Sequence, residues 1–128
     1  MAPAGTVQCV QHVSVPRPRG SHDMARRFYG ELLGLEEIPA PDTIAHLDLI
    51  WYRVGDSELH LFASDRLADG LAAHFCLQVD DLPAVRERLS RGGVEIVDDL
   101  PIPNRPRFFC RDPFGNRIEF TSIQGSYR

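Results

Sequence analysis

The chain contains no lysine; all 14 of its basic side chains are arginine. That absence excludes Schiff-base catalysis through a lysine and a phosphate loop ending in Gly-Lys. It also accords with a GC-rich bacterial coding sequence. Cysteine is scarce, with only Cys9, Cys76 and Cys110, each next to an apolar residue. Their odd number and wide spacing exclude a local CxxC-type metal clip and predict buried, reduced thiols in a cytoplasmic protein. No apolar run approaches the ~20 residues of a membrane span. The opening "MAPAGTVQCVQHV" lacks the charged start and apolar stretch of a secretory signal. Net charge is −4 and the arginines are dispersed, so no basic stripe invites nucleic acid.

What remains is an ordinary globular composition. The 128 residues, 43% hydrophobic and 25% charged, suit one domain with a moderate core. Within it a pattern repeats. "VQCVQHVSV" (7–15) reads as a β-branched strand carrying His12. "SHDMARRFYGELLG" (21–34) reads as a helix with Ser21 as N-cap, an apolar stripe of Met24, Phe28 and Leu32, and Gly34 as its stop. "LEEIP", "AHLDLIWYRV" (45–54) and "SELHLFA" (57–63) read as strands, the last two joined at Gly55-Asp56. After a loop at Gly70 the order returns: "AHFCLQV" (73–79) with His74, a helix over "DLPAVRERLSRGG" (81–93), then "VEIV", "RPRFFCR" and "NRIEFTS". The expectation is an α+β fold of two tandem βαβββ modules, about 7–63 and 73–122, within one domain spanning 1–128 and enclosing a half-open, barrel-like cleft.

Glu119 sits between Ile118 and Phe120, where simple alternation would send it to water. The repeat changes that reading. His12 and His74 open equivalent strands, and His60 and Glu119 lie on equivalent last strands. Strand parity puts all four on the face away from each module's helix. If "DPFGN" (112–116) is a turn, Phe109 faces Glu119 and Arg111 faces Arg117; across Gly55-Asp56, Trp51 faces His60 and Arg53 faces Glu58. An aromatic ring would then flank each last-strand candidate, as in a small-molecule cleft. Arg107, Arg111 and Arg117 either bind an anionic substrate group bidentately or form a solvated rim. His22 and His46 read as surface residues, and Glu58 as the ion-pair partner of Arg53.

These modules, with "RRFYGELLGLE" in the first helix and "RDPFGNRIEF" at the end, resemble the vicinal oxygen chelate superfamily. Its members include glyoxalase I, extradiol dioxygenases, fosfomycin-resistance thiol transferases, methylmalonyl-CoA epimerases and bleomycin-resistance proteins. The resemblance spans nearly the whole chain and implies metal ligation by His12, His74 and Glu119. The fourth family position, Glu in glyoxalase I, is His60 here, which removes a carboxylate base. The implied cofactor is one divalent ion per site (Fe, Mn, Ni, Co or Zn), with positions open to a small oxygenated substrate. The implied chemistry is of lyase/isomerase, dioxygenase or transferase type, with Glu119 and His60 as catalytic groups and Trp51, Phe109, Arg107 and Arg111 against the substrate. His60 is either the fourth ligand or a free acid–base group beside Trp51. The competing implication is a metal-free, drug-sequestering protein of the bleomycin-resistance kind. A homodimer is expected in either case, with the site inside one chain or across two.

Overall fold

The computed structural model describes residues 4–68, 70 and 72–126. Strands β1 (His12–Arg17), β2 (Glu36–Ile38), β3 (Leu49–Val54) and β4 (Ser57–Ala63) form one sheet in the order β1-β4-β3-β2. Strands β5 (His74–Gln78), β6 (Arg107–Arg111) and β7 (Arg117–Thr121) form the second, in the order β5-β7-β6. In each half the first strand lies parallel to the last, and the last pairs antiparallel with the strand before it. A helix crosses over after each first strand: α1 (His22–Ala25), continuing as a π-helix over Arg26–Leu32, and α2 (Leu82–Arg91). The architecture is α+β, two open sheets rather than a closed barrel.

Turn chemistry sets the register. Gly55 takes a positive φ of 57° that a two-residue hairpin turn needs, so Val54 pairs with Ser57 and Trp51 with His60. Pairing in β6–β7 places Phe109 opposite Glu119 and Arg111 opposite Arg117. Both registers are those expected from the sequence. The faces opposite these residues make the core: Ile50, Tyr52, Leu59 and Leu61 from one sheet, and Phe108, Cys110, Ile118 and Phe120 from the other. Ala25, Phe28, Tyr29, Val85 and Leu89 of the helices cover them. Each large apolar side chain buried there contributes roughly 1.5–3 kcal/mol.

Several expectations need correction. Strand β1 starts at His12 rather than at residue 7, because its neighbour β4 begins only at Ser57; Val7 and Val10 remain 89% and 70% exposed. The strand expected from Ala45 starts at Leu49, after a 3₁₀ turn, because Asp48 adopts a left-handed φ of 56°. Ser21 makes no side-chain cap, and Met24 is 52% exposed. The π-helical turn, in which Leu33 N–H donates to Phe28 O, turns Ala25, Phe28 and Tyr29 inward instead. "VEIV" contributes only the bridge of Val97 to Phe109. Of the thiols expected to be buried, only Cys110 is; Cys9 precedes β1, and Cys76 points to the open face of β5. The second helix is as expected, capped by Asp81, whose side chain accepts from Ala84 N–H at 3.1 Å.

The halves are joined at the "DPFGN" turn. Asp112 is buried and accepts from the Phe114 and Asn116 N–H groups, from Asn116 Nδ2 and from the Tyr29 hydroxyl at 2.5 Å. Asn116 Nδ2 also donates to Pro16 O of β1 at 3.0 Å. Burial holds the Asp112 carboxyl above its ordinary 3.8 in spite of those donors. The folded state therefore keeps this proton to higher pH than the unfolded chain does. The stability so conferred is full below the unfolded value and declines as pH rises towards the folded one. Tyr52, equally buried, has no hydrogen-bond partner for its hydroxyl among the described residues. Thermal unfolding should separate the two tyrosines. Tyr29→Phe is expected to cost about 1–3 kcal/mol by removing one of the four donors to the buried Asp112 carboxyl, whereas Tyr52→Phe removes an unsatisfied hydroxyl and should leave stability equal or higher.

Candidate functional site

The sequence candidates fall into two groups, one on each sheet. On the first, His12, His60 and Trp51 stack across three adjacent strands. The His12 and His60 ring centroids are 4.1 Å apart, and those of Trp51 and His60 are 3.7 Å apart with the planes 4° from parallel. This sandwich leaves His60 only 8% exposed. Its Nε2 lies 2.8 Å from Glu58 Oε1, while His12 Nδ1 lies 2.6 Å from Gln11 Oε1. A carboxylate accepts only, so His60 carries its proton on Nε2 and, when neutral, its lone pair on Nδ1.

On the second sheet, His74 Nε2 lies 3.1 Å from Glu119 Oε1. His74 Nδ1 is 3.0 Å from Ala72 O, so each ring nitrogen has an acceptor beside it, the carboxylate at Nε2 and the carbonyl at Nδ1. A neutral ring carries one proton and donates to only one of them; with that proton on Nδ1, the Nε2 lone pair and Oε1 stand 3.1 Å apart. That spacing suits neighbouring ligands at about 2.1 Å from one cation, which stand roughly 3.0–3.4 Å apart. Arg107 Nη1 reaches Glu119 Oε2 at 3.4 Å, and Arg117 Nη1 approaches His74 Nδ1 at 3.2 Å. Phe109 meets the His74 ring edge-on at 5.1 Å and carries the Arg117 guanidinium over its face at 3.7 Å.

The donor types in each pair suit a divalent first-row ion. The pairs do not close on one another: among the described residues no three His, Cys, Asp or Glu side chains converge to hold a metal. The described residues thus hold the four candidates as two separate pairs.

Other residues differ from expectation. Glu58 bonds to His60 rather than to Arg53, whose guanidinium turns to Glu36 at 3.9 Å. His22 is held by Asp48 at 2.9 Å, and His46 is exposed as expected. Arg111 bends over the turn and donates to Gly115 O at 2.7 Å, away from the His74–Glu119 pair. Alternation would have found the missing neighbours, since Glu58 and Arg117 each lie two residues before a candidate on the same strand face. The contact with His60, above all, draws the Glu58 carboxyl below its ordinary 4.5. His60→Gln should return it towards that value, so that Glu58 takes up its proton at higher pH; side-chain carboxyl NMR titration reads the change, and an unmoved curve would refute the contact.

Residues 10–120 match the family described as the Glyoxalase/Bleomycin resistance protein/Dioxygenase superfamily. A glyoxalase family protein from Bacillus anthracis is 35% identical, with 94% of this chain and 99% of that one covered and a TM-score of 0.88. TnmS3, an antibiotic binding protein from Streptomyces sp. CB03234, is 25% identical over 91% of this chain and 97% of its own, with a TM-score of 0.71. Lactoylglutathione lyase from Agrobacterium tumefaciens shares the fold at 22% identity and a TM-score of 0.70, covering 91% of this chain and 95% of its own. No curated protein matches the chain. With this sheet topology and a match that runs from before His12 to beyond Glu119, the chain belongs to the glyoxalase/bleomycin resistance protein/dioxygenase superfamily, the vicinal oxygen chelate proteins.

Proposed function

We propose that the protein is a divalent-metal-dependent enzyme acting on a small oxygenated substrate, with each site assembled from two copies of the chain. The observation that carries this reading is the juxtaposition of His74 Nε2 and Glu119 Oε1, 3.1 Å apart and short of a full donor set among the described residues. A second copy would supply His12 and His60 to complete it. A two-fold dimer would make two such sites, since whatever one chain lends it also receives. The chemistry such an ion supplies is Lewis-acid polarisation of a substrate oxygen.

The chain's own groups then divide the remaining work. Arg107 and Arg117 hold positive charge beside the Glu119 carboxylate and the His74 ring. Phe109 and Trp51 wall the site and lower its dielectric, which strengthens those charges. Glu58 fixes the His60 proton on Nε2 and leaves Nδ1 as the nitrogen able to ligate or to take a proton from substrate.

A second reading draws on the ring stack. Trp51, His60 and His12 offer a flat aromatic surface, as a drug-sequestering protein would, and TnmS3 is described as an antibiotic binding protein. Metal analysis after reconstitution separates the two, because sequestration requires no ion.

For the enzyme reading, wild-type protein sediments at twice the chain mass and takes up about one divalent ion per site. His74→Ala and Glu119→Ala each lower metal affinity by about an order of magnitude or more. His12→Ala mixed with His74→Ala tests the shared site, because a heterodimer of the two retains one intact copy. Random pairing after refolding should restore about a quarter of wild-type metal capacity. No recovery would place the site within one chain, and absence of metal uptake by the wild type would leave sequestration.

A further inference from the structure

A cleft of about 570 Å³ opens between the π-helical turn, the 92–97 segment and the end of β6. Its volume lies within the range of small-molecule sites. None of His12, His60, His74 or Glu119 lines it, so it is distinct from the metal donors, although Phe109 and Arg117 border both. The floor is apolar: Phe28 and Leu32 of the helix face Val94 and Pro113, and Gly92 sits so close to Leu32 that a Cβ there would approach its methyls to 2.8 Å. Met24 and Val97, 52% and 48% exposed, bring further apolar surface to the lining. Singly these exposures are unremarkable, but here they share one concave wall.

The rim has the opposite character. Arg27, Arg111 and Arg117 all line the cleft, against Glu95 and Asp112 as its acids. Asp112 has its carboxylate oxygens turned to Tyr29, Phe114 and Asn116, leaving Glu95 as the acid free to face a ligand. Arg27 is exposed and has no hydrogen-bond or ion-pair partner among the described residues. A chain of net charge −4 thus gathers a positive rim over an apolar floor. The arginine fork suits bidentate recognition of carboxylate or phosphate oxygens.

We infer that this cleft is a binding site for an organic anion with an apolar body, its carboxylate or phosphate head held by Arg27 and Arg111 and its tail laid over Phe28, Leu32 and Val94. Octanoate, octyl phosphate and neutral 1-octanol are the probes, titrated calorimetrically into metal-free protein. Binding of either anion about tenfold or more tighter than octanol is expected, as one charge-assisted contact requires. The better of the two anions identifies the head group. Arg27→Glu, an exposed change that breaks no contact, should weaken the anion about tenfold and leave octanol unaffected. Equal affinity for anion and alcohol, or an anion affinity indifferent to Arg27→Glu, overturns the inference. Anion binding abolished by Arg107→Ala overturns it as well, because the head group would then sit beside His74 and Glu119 rather than in the cleft. Failure of metal uptake alone leaves these titrations untouched.

Discussion

The buried Asp112 carboxyl is the joint on which the two halves turn. It closes the loop between β6 and β7 from within, taking Phe114 and Asn116 N–H on Oδ1 and Asn116 Nδ2 and Tyr29 Oη on Oδ2. That closure fixes the antiparallel register, and the register stands Phe109 beside Glu119. The same residues reach the other module, through Tyr29 on the π-helical turn and through Asn116 to Pro16 of β1. A misplaced turn would therefore disturb the second donor pair and the packing of the first module together. A carboxyl withdrawn from water is tolerated only because every nearby donor converges on it.

A buried guanidinium does comparable work at the same end of β1, one residue beyond Pro16. Arg17 is fully buried and donates to Asp48 Oδ1 at 2.7 Å, to Asp48 O at 2.9 Å and to Pro18 O at 3.0 Å. The pairing lowers the Asp48 carboxyl below its usual range, chiefly through the Arg17 hydrogen bond. It also pins Asp48 in the left-handed region, which an aspartate tolerates better than most side chains. The chain can then turn sharply before β3, so that Trp51 arrives opposite His60. Position in the ring stack thus descends from an ion pair about three residues upstream of Trp51.

The repeat, the two hairpin registers and the cap of α2 were legible because each rests on local chemistry: alternation, Gly55, Asp81 and the "DPFGN" turn. What was not legible depends on partners distant in sequence. Periodicity placed Met24 inside because it assumes 3.6 residues per turn, and the π-helical widening rotates the helix so that Tyr29 can meet Asp112. β1 read too long because the apolar run at its start has no strand to pair with. Glu58 read as Arg53's partner from register alone, although the imidazole two residues along the same face lies nearer. The strand faces taken by His12, His60, His74 and Glu119 were readable. Their division into two pairs was not, because strand parity says which face a side chain takes and nothing about where two sheets stand.

That division has a physical logic. An imidazole lone pair and a carboxylate oxygen 3.1 Å apart repel unless a proton or a cation lies between them. The flanking Arg107 and Arg117 ease part of that repulsion, but each also has a carbonyl to satisfy, Leu100 O for Arg107 and Ala72 O for Arg117. Their charge is shared with the backbone, so a proton on Nε2 or a cation would relieve what remains. On the other sheet, Glu58 already occupies one nitrogen of His60, and stacking fixes its ring. The two groups are therefore unlike: one is an imidazole–carboxylate pair flanked by arginines, the other a rigid imidazole stack with its proton placed. In the proposed dimer a two-fold axis would set each kind against the other twice, whereas among the described residues of one chain no three such donors converge.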